Sequence, residues 1–163
     1  MNTEIVQITQ QIKDVYKGDP WFGRSVKSLL SDVTADVSFE KPNDQHSVLE
    51  LLWHMITWRE FTIKSLRNDD EKSPQYFEEN NWRDLDHNDK SLLEKGLQRL
   101  DETQSELIEA LEDQQDSRLN EIVPGKKYNF RKFGIFRFWN RFTEQINVTQ
   151  HTLFLFIPLD LRK

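Results

Sequence analysis

His54 sits where a helix would carry chemistry. It lies midway along an amphipathic run, with Glu50 one turn before it and Trp58 one turn after it. Positions i and i+4 share a helix face, so Glu50 and His54 can both reach one ion. The band 47, 50, 54, 58, 61 reads Ser, Glu, His, Trp, Phe, a mixed polar stripe that can line an interior pocket. The plainer reading is a buried histidine with one hydrogen-bond partner, or one simply at the edge of the core. A general base acting without metal is a third reading. The remaining histidines are scattered. His46 starts the same run beside Ser47, where it suits a capping or loop contact; His87 lies in an acidic link; His151 is near the end of the last predicted helix. No HxxxH, HxxE or HExxH pattern occurs, so a zinc or iron site would need single residues from distant segments.

Other reaction classes lack their residues. There is no GxSxG elbow and no glycine-rich phosphate loop, and the chain has 5 glycines in all. Carboxylates are abundant but fall on charged helix faces, so no acid/base pair stands out. RFWNRF, with Arg137 and Arg141, can bind an anion, yet Glu144 offers Arg141 an ordinary surface partner. The absence of cysteine removes disulfides, thiolate ligands and Cys nucleophiles. With 28 acids against 22 bases and no long basic run, nucleic acid is a poor candidate partner. The N-terminal segment lacks the basic start and apolar block of a signal peptide. No apolar run approaches the ~20 residues that span a membrane. A cytoplasmic protein with no membrane partner is the expectation.

The elements that must position these residues are helices. Ile5, Ile8, Ile12, Val15 and Tyr16 recur at helical spacing over residues 3–17, with Thr3 as the expected N-cap and Gly18-Asp19-Pro20 as the stop. A short helix is expected within 23–33 on Val26, Leu29 and Leu30. Ser47 and Glu50 form the capping-box pattern for a helix over 47–69, whose apolar face is Val48, Leu51, Leu52, Met55, Ile56, Ile63 and Leu66. Residues 69–87 read as a long irregular link holding Tyr76, Phe77 and Trp82, of a length often functional or lid-like. A helix over 88–114 carries Leu92, Leu93, Leu97, Leu100, Leu107 and Leu111. Residues 118–130 read as a loop or short hairpin around Pro124-Gly125. A last helix runs from about 130 to the mid-150s, with Ile135, Phe138, Trp139, Phe142, Ile146 and Thr149 on one face and Pro158 at its end. Four main helices without convincing strands predict an all-α fold, a single four-helix bundle domain over 1–163 with an extra short helix after the first and long loop connections. The 163 residues suit one such domain with a substantial core, and aromatics at 12% do much of its packing.

Several segments in this order resemble the DinB/YfiT-like family of metal-binding four-helix bundles. QQIKDVYKGDPWFGRSVKSLLSDV is similar to that family's opening. HSVLELLWHMITWRE, 46–60, matches its second-helix signature, and NNWRDL, 80–85, its tryptophan in the following connection. PGKKYNFRKFGI and then FTEQI match the entry and the Gln-Ile end of its final helix. The resemblance implies three histidine ligands for nickel or zinc, one on the second helix and two in an HxxxH pair on the last. His54 matches the first. Anchored on Gly134-Ile135 and Gln145-Ile146, the pair falls on Phe138 and Phe142, which have no lone pair to offer.

The resemblance with this departure implies a degenerate metal site. The expectation is a non-catalytic protein that binds a small molecule near Glu50, His54, Trp58, Phe138, Phe142 and Gln145, or that acts as an interaction module, with a homodimer as the expected assembly. No cofactor is expected. The alternative is a metal-dependent transferase or hydrolase of this family's type, holding nickel or zinc through a rearranged set of His54, Glu50 and a residue from 69–87.

Overall fold

The computed structural model describes residues 2–20, 23–41, 45–69 and 71–132. Within them helix α1 is Thr3–Lys17, α2 Val26–Leu30, α3 Val48–Arg67, α4 Pro74–Glu79 and α5 Leu92–Glu112, with 3-10 turns at Val37–Phe39 and Asp116–Asn120. The fold is all-α. The helix expected beyond residue 130 lies, from residue 133 on, outside the described residues. None of the described helices is long and apolar enough to cross a membrane.

α3 begins as its sequence dictates. The Glu50 N–H donates to Ser47 Oγ at 3.2 Å, and the Ser47 N–H donates back to Glu50 Oε2 at 2.8 Å. Two donors that helix geometry leaves orphaned are thereby satisfied. Asn68, in the left-handed region at φ 52°, closes the helix. α1 departs from expectation. Thr3 is its first helical residue rather than its cap, and Asn2 supplies no side-chain cap. Asp116, from the far end of the described chain, accepts the N–H groups of Ile5 at 3.0 Å and Glu4 at 3.2 Å. The segment 69–87 is not wholly irregular: Ser73 caps α4, and Pro74 occupies its first turn, where no N–H is needed. The expected turn at Pro124-Gly125 is present, with a single bridge between Ile122 and Asn129 at its base. Gly125 has φ 71°, and a Cβ there would stand 2.6 Å from the Pro74 ring, so glycine is required twice over.

Cross-helix contacts give the topology. Arg59 reaches the Leu100 carbonyl, Glu60 pairs with Arg99 and Arg67 with Glu109, so α3 and α5 run parallel. Tyr16 meets Asp101 while Lys13 meets Glu112, so α1 runs antiparallel to α5. Parallel neighbours need a connection running back along a helix length, about 30 Å for twenty residues. Residues 68–91 make that return. Phe77 packs edge-on against Phe61, Asn81 bonds Trp58, and Trp82 stacks on His54, so the strap descends α3 from its C-terminal end toward its N-terminus.

The core lies between α1, α3 and α5. Leu49, Leu52 and Ile56 of α3 are fully buried beside Leu93 and Leu100 of α5, while Leu107 and Leu111 pack with Ile5, Phe61, Ile63 and Leu66 in a second cluster. Each such side chain contributes about 1.5–3 kcal/mol when buried. Leu51, expected on the apolar face, is only half-buried, because Leu49 takes the inward place. At Gly96, α5 comes so close to α3 that a Cβ would sit 2.7 Å from Leu52 Cδ2. Arg59 is also inside, 6% exposed, donating through Nη1 to Leu100 O at 3.1 Å and lying 4.9 Å over the Tyr16 ring.

Three outcomes are expected. Gly96→Val gains a few tenths of a kcal/mol in helix propensity but overpacks Leu52, a cost of about 1–3 kcal/mol; chemical denaturation should show a net loss. Ser47→Ala should cost about 1 kcal/mol in the same assay. Asp116 has its carboxyl pKa lowered chiefly by the Ile5 N–H. Its contribution is therefore present above the ordinary carboxylate range and lost as the pH falls through its lowered folded value. Asp116→Asn should lower the melting temperature at neutral pH and flatten its decline on the acid side.

Candidate functional site

The capping box and the strap together place every described side chain near His54. The Ser47 cap fixes where α3 starts, and the 3.6-residue period then puts His54, Trp58 and Phe61 on one flank. His54 and Trp58 meet edge to face, with centroids 6.5 Å apart at 67°. Trp58 meets Phe61 at 5.6 Å and 82°. The strap covers this flank. Trp82 stacks on His54 at 4.3 Å and 13°, and on His46 at 3.6 Å and 3°. Two imidazoles that near one indole centroid would collide on a single face, so they take opposite faces of Trp82.

Polar contacts hold the strap on either side of that indole. Trp58 Nε1 donates to Asn81 Oδ1 at 2.6 Å. Arg83 Nη2 donates to Thr57 Oγ1 at 3.1 Å, and the Thr57 hydroxyl reaches Asn80 O at 3.4 Å. The Arg83 guanidinium lies 4.8 Å over the Trp53 ring, a cation–π contact. Lys126 adds a second cation, 5.8 Å from the Trp58 ring, and is paired with Glu78. Among the described residues the rings of Trp82 and Trp58 lie against His54, and the two cations face Trp53 and Trp58.

Glu50 is engaged at both oxygens. Oε2 takes the Ser47 N–H and lies 3.5 Å from His46 Nδ1, while Oε1 accepts Lys41 Nζ at 2.6 Å. Partial burial works against its charge, but the Lys41 and Ser47 bonds outweigh it and leave the carboxyl below its ordinary pKa. The i, i+4 spacing suggests an ion shared with His54; in the structure the carboxylate holds the helix start. Among the described residues no three His, Cys, Asp or Glu side chains converge to hold a metal ion. His87 packs against Phe39 at 4.9 Å, away from this cluster. Phe138, Phe142, Gln145 and His151 lie outside the described residues.

Sequence spacing singled out Glu50, His54 and Trp58 but not Trp82, His46 or Asn81 as partners. NNWRDL marks the tryptophan, but no local pattern says that it returns to α3. An open surface depression lined by Ser73, Pro74, Gln75, Glu78, Glu79 and Gly125 shares none of these residues and gathers only carboxylate and amide chemistry.

Comparison with known proteins completes the picture. No curated protein and no solved structure matches the chain. Residues 23–145, three-quarters of the sequence, match the family model of the DinB superfamily, spanning α2, the capped α3, the strap and α5. The chain belongs to the DinB superfamily.

Proposed function

We propose that this DinB superfamily member works without a bound metal, as a non-catalytic protein that takes a small organic molecule beside His54. The carrying observation is that His54 is built into a stack of rings: one face lies against Trp82 and its edge against Trp58. A metal ligand must aim a ring nitrogen at an ion shared with further donors, typically three protein groups in all at a catalytic zinc. Glu50, the nearest candidate donor in sequence, is held by Ser47 and Lys41. The positions matching the family's HxxxH pair are Phe138 and Phe142. The residues present therefore do not fit the family's metal, and no metal-dependent step is derived from them.

The same composition suits an organic ligand. Small-molecule sites are mostly apolar and aromatic with a few placed polar groups. Trp58 and Phe61 supply rings, and His54 and Asn81 supply hydrogen-bonding groups. In a low-dielectric interior, exchanging imidazoles for phenyl rings removes groups that need partners and adds apolar surface.

The test is metal content in protein purified without an affinity tag, together with a thermal melt with and without chelator. Well below one equivalent of metal and an unchanged melting temperature are expected. One tightly held nickel or zinc per chain, with a melting temperature that falls on chelation, would overturn the reading.

A further inference from the structure

Trp82 is a large apolar ring that is 39% exposed, and both its faces are covered by imidazoles. We infer that His46 and His54 are the two walls of a slot for a planar aromatic or heteroaromatic ring, and that Trp82 fills this slot as a built-in occupant which an incoming ring ligand displaces. The inference rests on the small-molecule reading above and names its ligand class.

The walls and the occupant come from different elements. His54 is on α3, and His46 lies just before the Ser47 cap, within 3.5 Å of Glu50 Oε2. The capped helix, and not the strap, therefore sets the width between the imidazoles. They are spaced to take one flat ring, because each stacks on a face of the same indole. Trp82 belongs to the strap, whose firm attachments lie on either side. Phe77 is 1% exposed, and Leu85 packs against the core near the start of α3. Between them, Asn80, Asn81 and Arg83 attach to α3 by polar contacts. Lifting them gives up these bonds and the Arg83 contact with the Trp53 ring, but their polar groups are rehydrated, whereas freeing Phe77 would expose a whole buried ring. The segment 80–83 is thus the part of the strap able to lift while its ends stay seated.

Displacement is close to an exchange of like for like. Lifting Trp82, which is 39% exposed, gives up the burial of the rest of its ring, and the incoming ligand must bury a comparable area in its place. A planar ligand restores the stacking on both walls. His46 is half exposed, which leaves the slot open to solvent on that side. Selectivity follows from shape: a flat ring enters, and a tetrahedral or branched aliphatic group does not.

The probe is indole, titrated calorimetrically, with the ring protons of His46 and His54 followed by NMR. Trp82→Ala should bind indole at least about tenfold more tightly than the wild type, roughly 1.4 kcal/mol, and should shift the resonances of both histidines. Adding His54→Ala to that variant should cancel the gain. A Trp82→Ala protein with native helical circular dichroism that binds indole no better than the wild type overturns the slot. Should Trp82→Ala not fold, Asn81→Ala replaces it: freeing the strap from Trp58 should raise indole affinity with Trp82 intact, and no rise overturns the inference. The two readings fail separately. A tightly held metal ion removes the metal-free function but leaves indole binding to be observed. Absent indole binding in metal-free protein removes the slot alone.

Discussion

A guanidinium buried where three helices meet needs partners, and Arg59 takes them from both neighbours of α3. Its Nη1 reaches the Leu100 carbonyl inside α5, and its plane lies over the Tyr16 ring of α1. Burial pushes its pKa down to about 10, still far above neutral, so the charge remains. Burial, reinforced by the bond to Asp101, pushes the Tyr16 phenol upward, so Tyr16 keeps the proton that it donates. Desolvating such a charge costs several kcal/mol unless geometry repays it. The repayment requires the Arg59–Leu100 register, which the Glu60–Arg99 and Arg67–Glu109 pairs extend into a parallel packing of α3 and α5. Thr103 presses the same point, for its hydroxyl also lies within bonding distance of the Leu100 carbonyl, at 3.2 Å.

Parallel packing of α3 and α5 has a consequence for the site. The chain must travel back along α3 before α5 can begin, and residues 68–91 do so on the flank that carries His54. The strap is a product of topology before it is a feature of function. Its rings then settle on those of α3 in order: Phe77 at Phe61, Asn81 at Trp58, Trp82 at His54 and His46. The polar network at its edge, Arg83 to Glu60 to Arg99 to Glu106, is partly solvated and orients the strap more than it stabilises the fold.

The features legible in the sequence are those whose causes are local. Ser47 and Glu50 predict the start of α3 because both halves of the capping box lie within four residues. Val26, Leu29 and Leu30 predict α2 because the stripe and its burial are the same pattern. Misreadings arise where a distant group does a local job. Thr3 looked like a cap, but α1 is capped by Asp116, separated from Ile5 by 111 positions. Spacing also places Glu50 one turn from His54, but it carries no record of the Lys41 and Ser47 bonds that engage the carboxylate at the helix start. The Ser73-Pro74 signal for α4 was readable in principle and was masked by the acidic, irregular composition around it. Trp82 could be recognised as a landmark but not placed, since its position depends on the return path that Arg59 and Leu100 impose.

A metal site and a ring stack make different demands on the same imidazole. A metal fixes the direction of one nitrogen to within a few degrees and needs further donors arranged around it. A stack fixes the ring plane and leaves the in-plane direction to whatever hydrogen bond is at hand. On α3 the plane of His54 is set by Trp82 against its face and Trp58 against its edge. Packing against Trp82 and Trp58 thus sets the plane of the His54 ring, whatever partner its ring nitrogens take.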